Sequence, residues 1–357
     1  MKIGILTFHR TSNFGSCLQA LALQNAISSL GLDCEIIDYR CVAVEQRESL
    51  VKKRHFSSLK DYITYHIIHP IIVKKYRSLM NDLSNKAVIS KPYTRETIKE
   101  SNDEYDVFFF FFYIVWDPQI TGGDYTYFLD FVDDDSKKNA FSSSFGDKID
   151  LSHDSEILVL LSKFKNIAVR EESATRFLSK KLNCSIAWVS DPTMLLTKQK
   201  WDELLPIRKK AFNKYVLVYF DDDKGKLYND ARKYAEINHY KLIEINYNLR
   251  ARAGAIISRP TSLSEFLDLI RNAEIIFTAS YHGMLFSLYY EKEMIFYTRA
   301  HKERMVSLAE RLKIMEQCGD EIDILKYRNS IDYGEVSKEI DRFRTESISV
   351  LLGELTR

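Results

Sequence analysis

The chain has 357 residues, 45% hydrophobic and 28% charged, with 51 basic side chains against 50 acidic ones. That length suits two domains, each with its own core, and the near-zero charge balance offers no overall field for nucleic acid. Five scattered cysteines (17, 34, 41, 184 and 318) show no CxxC spacing, which argues for a reducing, cytoplasmic setting and against a zinc site.

The opening MKIGILTFHR has no long apolar stretch or cleavage site, so no signal peptide is expected. No run approaches the ~18 apolar residues of a membrane span. Lys2 to Phe8 reads as a first strand, His9 to Gly15 as a polar loop and Ser16 to Leu30 as a helix, with Gly31 just past its end. Cys34 to Asp38 reads as a second strand. This is the β-α-β opening of a doubly wound α/β domain. The loop HRTSNFG carries neither GxGxxG nor GxxxxGK. Asn13 and Gly15 both tolerate positive φ, which fits either a ligand loop or a tight structural turn.

Residues 43–104 are charge-rich and helical, with little strand signal, and read as an insertion in a domain spanning 1–200. His55, His66 and His69 fall here without metal-ligand spacing and read as surface or packing residues. Asp106 to Val115 is expected as a buried strand, followed by strands over Tyr127–Phe131 and Asn139–Phe145, the latter ending near Ser144. A helix over Glu156–Phe164 precedes a strand over Ile167–Val169, which delivers Arg170 and Glu171 at its carboxyl end. A strand-end arginine either clamps an anion or pairs with a neighbouring acid, here Glu171 or Glu172. After a helix over Ser173–Leu182 and a strand over Ala187–Val189, the pattern loosens from Leu195 to Asn213. A second α/β unit covers 214–330, with strands at Tyr215–Phe220 and Lys241–Ile245 and helices at Gly225–Asn238 and Ser262–Arg271, the last with Ser262 as N-cap. Helices over Lys302–Leu312 and 333–357 follow.

Within the second unit, AEIIFTASYHGMLFSLYYEKEMIF (273–296) places His282 where an apolar strand ends and a helix begins. Ligands of open α/β sheets bind beyond the carboxyl ends of strands, and a helix N-terminus suits an anion. A histidine there can hold a phosphate or carboxylate, move a proton near neutral pH, or make a structural hydrogen bond.

Taken in order, KIGILTFHRTSNFGSCLQALALQNAI (2–27), VWDPQITGGDYTYFLDF (115–131), NAFSSSFG (139–146), IAVREESATRFL (167–178), VSDPTMLL (189–196) and AEIIFTASYHGMLFSL (273–288) resemble the polysaccharide pyruvyl transferase family, with a looser match over 302–314. The resemblance implies two Rossmann-like domains in a GT-B-like arrangement with an interdomain cleft. It implies transfer of a pyruvyl ketal from phosphoenolpyruvate to a sugar of a surface polysaccharide or its lipid-linked precursor. Such an enzyme would use phosphoenolpyruvate as donor substrate and a saccharide as acceptor, with no metal or other cofactor. It would reach a lipid-linked sugar through peripheral association with a membrane. By motif position Arg170 becomes the anion clamp and His282 a phosphate ligand and general acid. Asn13, Gly15, Ser144, Ser280 and Gly283 become cleft-lining positions, and Met284 a source of backbone N–H groups.

One segment departs from the family pattern. Where the family carries G-S-D-Q-x-W-N-P, this chain has Phe111, Phe112, Tyr113 and Ile114, with Asp117 in place of the Asn. An acceptor site rebuilt for another sugar, a non-catalytic member that binds a glycan or a partner, and a local anomaly would each produce this. Glycosyl transfer on the same scaffold is a further alternative, since fold does not fix chemistry.

Overall fold

The computed structural model describes residues 1–48, 58–111, 121–144, 155–208, 212–220, 225–298, 302–328 and 331–356. The chain divides into two compact units. The first comprises Met1–Ser49, Leu83–Thr197 and Asp341–Arg357, and the second Leu50–Asp82 and Lys198–Ile340.

The first unit begins with β1 (Lys2–Leu6), α1 (Phe14–Ser29), β2 (Asp33–Tyr39) and α2 (Val42–Glu48). Helix α3 (Leu59–Lys86) starts in the second unit and ends in the first, before β3 (Ile89–Tyr93) and β4 (Val107–Phe110). Then come β5 (Lys138–Ser143), α4 (Ser155–Leu161), β6 (Asn166–Val169), α5 (Glu172–Leu182) and β7 (Ala187–Trp188). These seven strands form one sheet in the order β3-β2-β1-β4-β5-β6-β7, with every neighbouring pair parallel. The inner strands are apolar because helices cover both faces of such a sheet. Leu6, Phe108, Phe110, Ile167 and Val169 join Phe8, Ile37 and Leu178 in one buried cluster. Almost all of α1 is buried too, which explains its lack of a polar face.

The second unit continues with α6 (Lys198–Leu204), β8 (Tyr215–Tyr219), α7 (Lys226–Asn238), β9 (Lys241–Ile245), β10 (Ala255–Ser258), α8 (Leu263–Arg271), β11 (Ile275–Thr278), α9 (Tyr281–Tyr289), β12 (Glu293–Phe296) and α10 (Lys302–Arg311). Its five strands run parallel in the order β10-β9-β8-β11-β12. Val216, Val218, Ile275, Phe277 and Ile295 centre its core. The last helix, α11 (Tyr333–Thr356), crosses from the second unit into the first.

The sequence expectations need five corrections. The insertion carries a strand, β3, at the sheet edge, where Lys91 and Pro92 are tolerated because one side of the strand needs no partner. Tyr127–Phe131 is no strand. Tyr125–Phe128 forms a 3-10 turn, capped by the Asp124 side chain accepting from Thr126 N–H at 3.0 Å and ended by Leu129 at φ 54°. The loose stretch after Leu195 contains α6, and β10 was not anticipated. Neither Asn13 nor Gly15 has positive φ: Asn13 is the N-cap of α1 at φ −89°, and Gly15 lies in its first turn. Of the departing segment, Phe111 is fully buried just past β4, while Phe112, Tyr113, Ile114 and Asp117 lie outside the described residues.

Candidate functional site

Sheet order fixes where each unit can bind a ligand. In the first sheet, strand order reverses between β1 and β4; in the second it reverses between β8 and β11. Crevices of doubly wound sheets open at such points, beyond the strand carboxyl ends.

At the first switch point, β1 runs on into Thr7, His9 and Arg10. Arg10 grips Asp38 of β2 with two parallel hydrogen bonds, Nε to Oδ1 at 2.5 Å and Nη2 to Oδ2 at 2.6 Å. His9 Nε2 lies 3.2 Å from the same Oδ1, and its Nδ1 lies 3.3 Å from Thr7 O. Burial would raise the Asp38 carboxyl, but hydrogen bonds from Arg10 and His9 outweigh it and hold the group well below the usual carboxylate range. Sequence reading passed over this trio. Its one signal is an aspartate inside the apolar run IIDY, paired through contacts 28 and 29 residues away. Asn13 follows, its Oδ1 accepting from Ser16 N–H at 3.3 Å.

Arg170 lies two strands further along, at the end of β6. Its N–H donates to Ser143 O at 3.1 Å, and its carbonyl accepts from Trp188 Nε1 at 2.9 Å, so its backbone is anchored from both sides. The side chain is 1% exposed. Its partner is Asp191, just past β7, and not Glu171 or Glu172: Nη1 donates to Asp191 Oδ2 at 2.5 Å. Gln19 of α1 donates to that same oxygen, while Asp191 Oδ1 accepts from the N–H and hydroxyl of Thr193 at 2.9 and 2.6 Å. Asp191 is therefore saturated. Arg170 is not. Its Nε and Nη2 are buried and have no hydrogen-bond partner among the described residues, and the same holds for Gln19 Oε1, Ser143 Oγ and Ser190 Oγ.

Backbone strain accompanies this cluster. Ser142 sits at φ 55°, and the β5–β6 register shifts between Ala140 and Ser143. A non-glycine residue in that region costs roughly 1–2 kcal/mol. The Ser142 hydroxyl donates to Ser190 O at 2.8 Å and ties the bulge to the loop holding Asp191. Ser144, just beyond, donates to Glu171, the buried N-cap position of α5.

In the second unit, Ser280 caps α9, its Oγ accepting from Gly283 N–H at 3.4 Å, while its own N–H donates to Thr278 Oγ1 at 3.0 Å. This leaves the partly buried His282 in the first turn at the second switch point. A Cβ on Gly283 would lie 2.4 Å from Thr278 Oγ1 and 2.9 Å from Tyr219 Cδ1, so glycine is what lets α9 approach the sheet. Met284 differs from expectation. Its N–H is taken by Ser280 O at 2.9 Å and its side chain is fully buried, so it offers a ligand no donor. Burial pushes the nearby Tyr219 hydroxyl up to about 12, with the Ser280 hydroxyl pulling the other way. The buried Arg304 of α10 lies over the Tyr281 ring, 5.4 Å from its centroid, adding a cation one residue from His282. Among the described residues no three His, Cys, Asp or Glu side chains gather as metal ligands.

These features define a two-domain Rossmann-like protein. The structure of a protein from Listeria monocytogenes assigned as a UDP-N-acetylglucosamine 2-epimerase is similar over 99% of this chain and 95% of its own, with a TM-score of 0.54 at 10% identity. The UDP-GlcNAc 2-epimerase of Methanocaldococcus jannaschii, solved with UDP-GlcNAc and UDP, aligns over 97% of this chain and 100% of its own (TM-score 0.46, 14% identity). The glycosyltransferase SnogD of Streptomyces nogalater aligns over 98% and 95% (TM-score 0.42, 10% identity). At these identities the likeness concerns the fold alone. A search of curated proteins returns no match. The profile of the polysaccharide pyruvyl transferase family matches residues 13–301, and the chain belongs to that family.

Proposed function

We propose that the chain transfers a pyruvyl group from phosphoenolpyruvate to a sugar of a surface polysaccharide or its lipid-linked precursor, forming a cyclic ketal. Family membership supports a transferase acting on saccharides. The observation that carries the donor reading is the buried Arg170 guanidinium, held by Asp191 at Nη1 with Nε and Nη2 unengaged among the described residues. Those two N–H groups form one edge of the fork, the geometry that takes a carboxylate or phosphate in two parallel bonds. Buried polar atoms without partners are rare and call for an explanation; an anionic substrate supplies one.

In this reading Arg170 binds the donor anion. His282 holds phosphate and delivers a proton to the methylene carbon, and Arg304 adds positive charge beside it. Protonation of that carbon leaves an oxocarbenium-like centre at C2. One sugar hydroxyl adds there and loses its proton. The C2–O bond to phosphate breaks, and a second hydroxyl closes the ketal as its proton passes to the departing phosphate, so one donor and one diol give one ketal and one phosphate. Preorganised cations stabilise the leaving phosphate.

The test is calorimetric titration with phosphoenolpyruvate of the wild type, Arg170→Ala and His282→Ala. Saturable binding lost in both variants is the expected result. Binding unchanged in both overturns the donor assignment, and saturable binding of a nucleotide sugar with none of phosphoenolpyruvate redirects the reading to glycosyl transfer.

A further inference from the structure

Among the described residues, the fully buried side chains of helix α3 lie towards its C-terminal end. Towards its C-terminus Lys75, Leu79, Asp82 and Leu83 are buried; Lys75 Nζ lies 4.4 Å from the Tyr247 ring centroid, and Asp82 accepts from Leu263 N–H at 2.8 Å. From 58 to 74, none of the described side chains is buried.

The exposed stripe of this helix has an unusual composition. Leu59, Ile63, Ile67, Pro70, Lys74 and Arg77 recur every three to four residues and are all exposed, so they share one helix face. The solvent face of a surface helix is normally polar. Here Leu59 is 75% exposed, Ile63 46% and Ile67 48%, with Tyr62 beside them at 47%. Lys74 and Arg77 continue the same stripe, and Lys60 flanks its start. The helix holds five basic side chains against two acidic ones. No helix among the described residues is long and apolar enough to cross a membrane.

We propose that this face lies in the plane of an anionic lipid surface, with Leu59, Ile63 and Ile67 in the headgroup–acyl boundary, Tyr62 at headgroup level, and Lys60, Lys74 and Arg77 against the lipid charges. Apolar residues on the exposed stripe of a cationic helix are the pattern of an interfacial anchor. Positive charge on the same stripe selects an anionic bilayer over an apolar protein groove, since each basic side chain near such a surface strengthens association about fivefold. The inference stands independently of the proposed reaction.

The experiment is co-sedimentation of the full chain with vesicles of phosphatidylcholine alone or mixed in equal parts with phosphatidylglycerol. The wild type is expected to bind the mixed vesicles at least tenfold better, and to lose that binding as salt rises from about 0.1 M to about 0.5 M. Ile63→Glu/Ile67→Glu should lower partitioning about tenfold or more. Lys74→Glu/Arg77→Glu should erase the lipid preference. Because these side chains are exposed, circular dichroism and the thermal midpoint should not change, which separates lost docking from lost folding. Equal binding to both vesicle types, or partitioning untouched by the isoleucine pair, overturns the proposal. So does light scattering that shows a dimer dissolved by the same isoleucine substitutions, since the face would then join two copies of the chain.

Discussion

Arg170 and Asp191 illustrate how much a single buried charge depends on its partner. Truncating Asp191 to Ala would leave the guanidinium buried and uncompensated, a loss of roughly 3–5 kcal/mol. We expect urea denaturation to show that loss, and the double variant Arg170→Met/Asp191→Leu to recover much of it. Full additivity of the two single changes would mean that the pair is not coupled. Asp38 makes a pH prediction. Its folded carboxyl titrates below its unfolded value, which is near 3.9. The resulting stabilisation is present above the unfolded value and is lost as pH falls through the folded one. Asp38→Asn should therefore lower the thermal midpoint at neutral pH and flatten its decline below about pH 4, as read by calorimetry at stepped pH.

At the scale of elements, α8 and α9 show two ways of starting a helix. At α8 the Ser262 hydroxyl accepts from Glu265 N–H at 3.2 Å while Glu265 reaches back to Ser262 N–H, a reciprocal capping box. Ser262→Ala should cost about 1 kcal/mol in chemical denaturation. At α9 the constraint is steric. Gly283→Ala must push Thr278 or the helix aside, for roughly 1–3 kcal/mol, and should weaken phosphoenolpyruvate binding, whereas Ser262→Ala should leave it intact. The Ser262 N-cap, the opening β-α-β and the strand-to-helix step at His282 were legible in sequence because each is local: a capping residue at a helix start, an apolar run, a helical period. Edge strands β3 and β10 were missed because edge positions relax the apolar pattern, as Lys91 and Pro92 show. The aromatic run at Tyr125–Phe128 looked like a strand, but its rings pack into the core from a 3-10 turn. The Arg170–Asp191 and Arg10–Asp38 pairs span 21 and 28 residues, and nothing in the spacing of charges announces them.

Neither unit is built from one continuous stretch of chain. The first is completed by the far part of α11, where Ser347 Oγ accepts from Ser190 N–H at 2.8 Å, Arg344 Nε donates to Met194 O at 2.7 Å, and the Phe343 ring lies 5.3 Å from that of Trp188. These contacts hold the segment that carries Asp191. Replacing Arg344 and Ser347 by Ala removes buried hydrogen bonds worth about 1–3 kcal/mol each when left unmade. Hydrogen exchange should then quicken in β7 and the loop after it, while the strands of the second sheet keep their protection.

Synthesis order gives the crossing of α11 another meaning. A ribosome adding about 5–20 residues per second needs roughly 7–30 s to pass from Thr197, where the body of the first unit ends, to Asp341, where its last piece begins. Throughout that interval the nascent first unit lacks its last piece, and its apolar strands wait while the larger part of the second unit, Lys198–Ile340, emerges. Its yield in the cell should therefore depend more on chaperone capacity than that of a chain whose domains close one after the other.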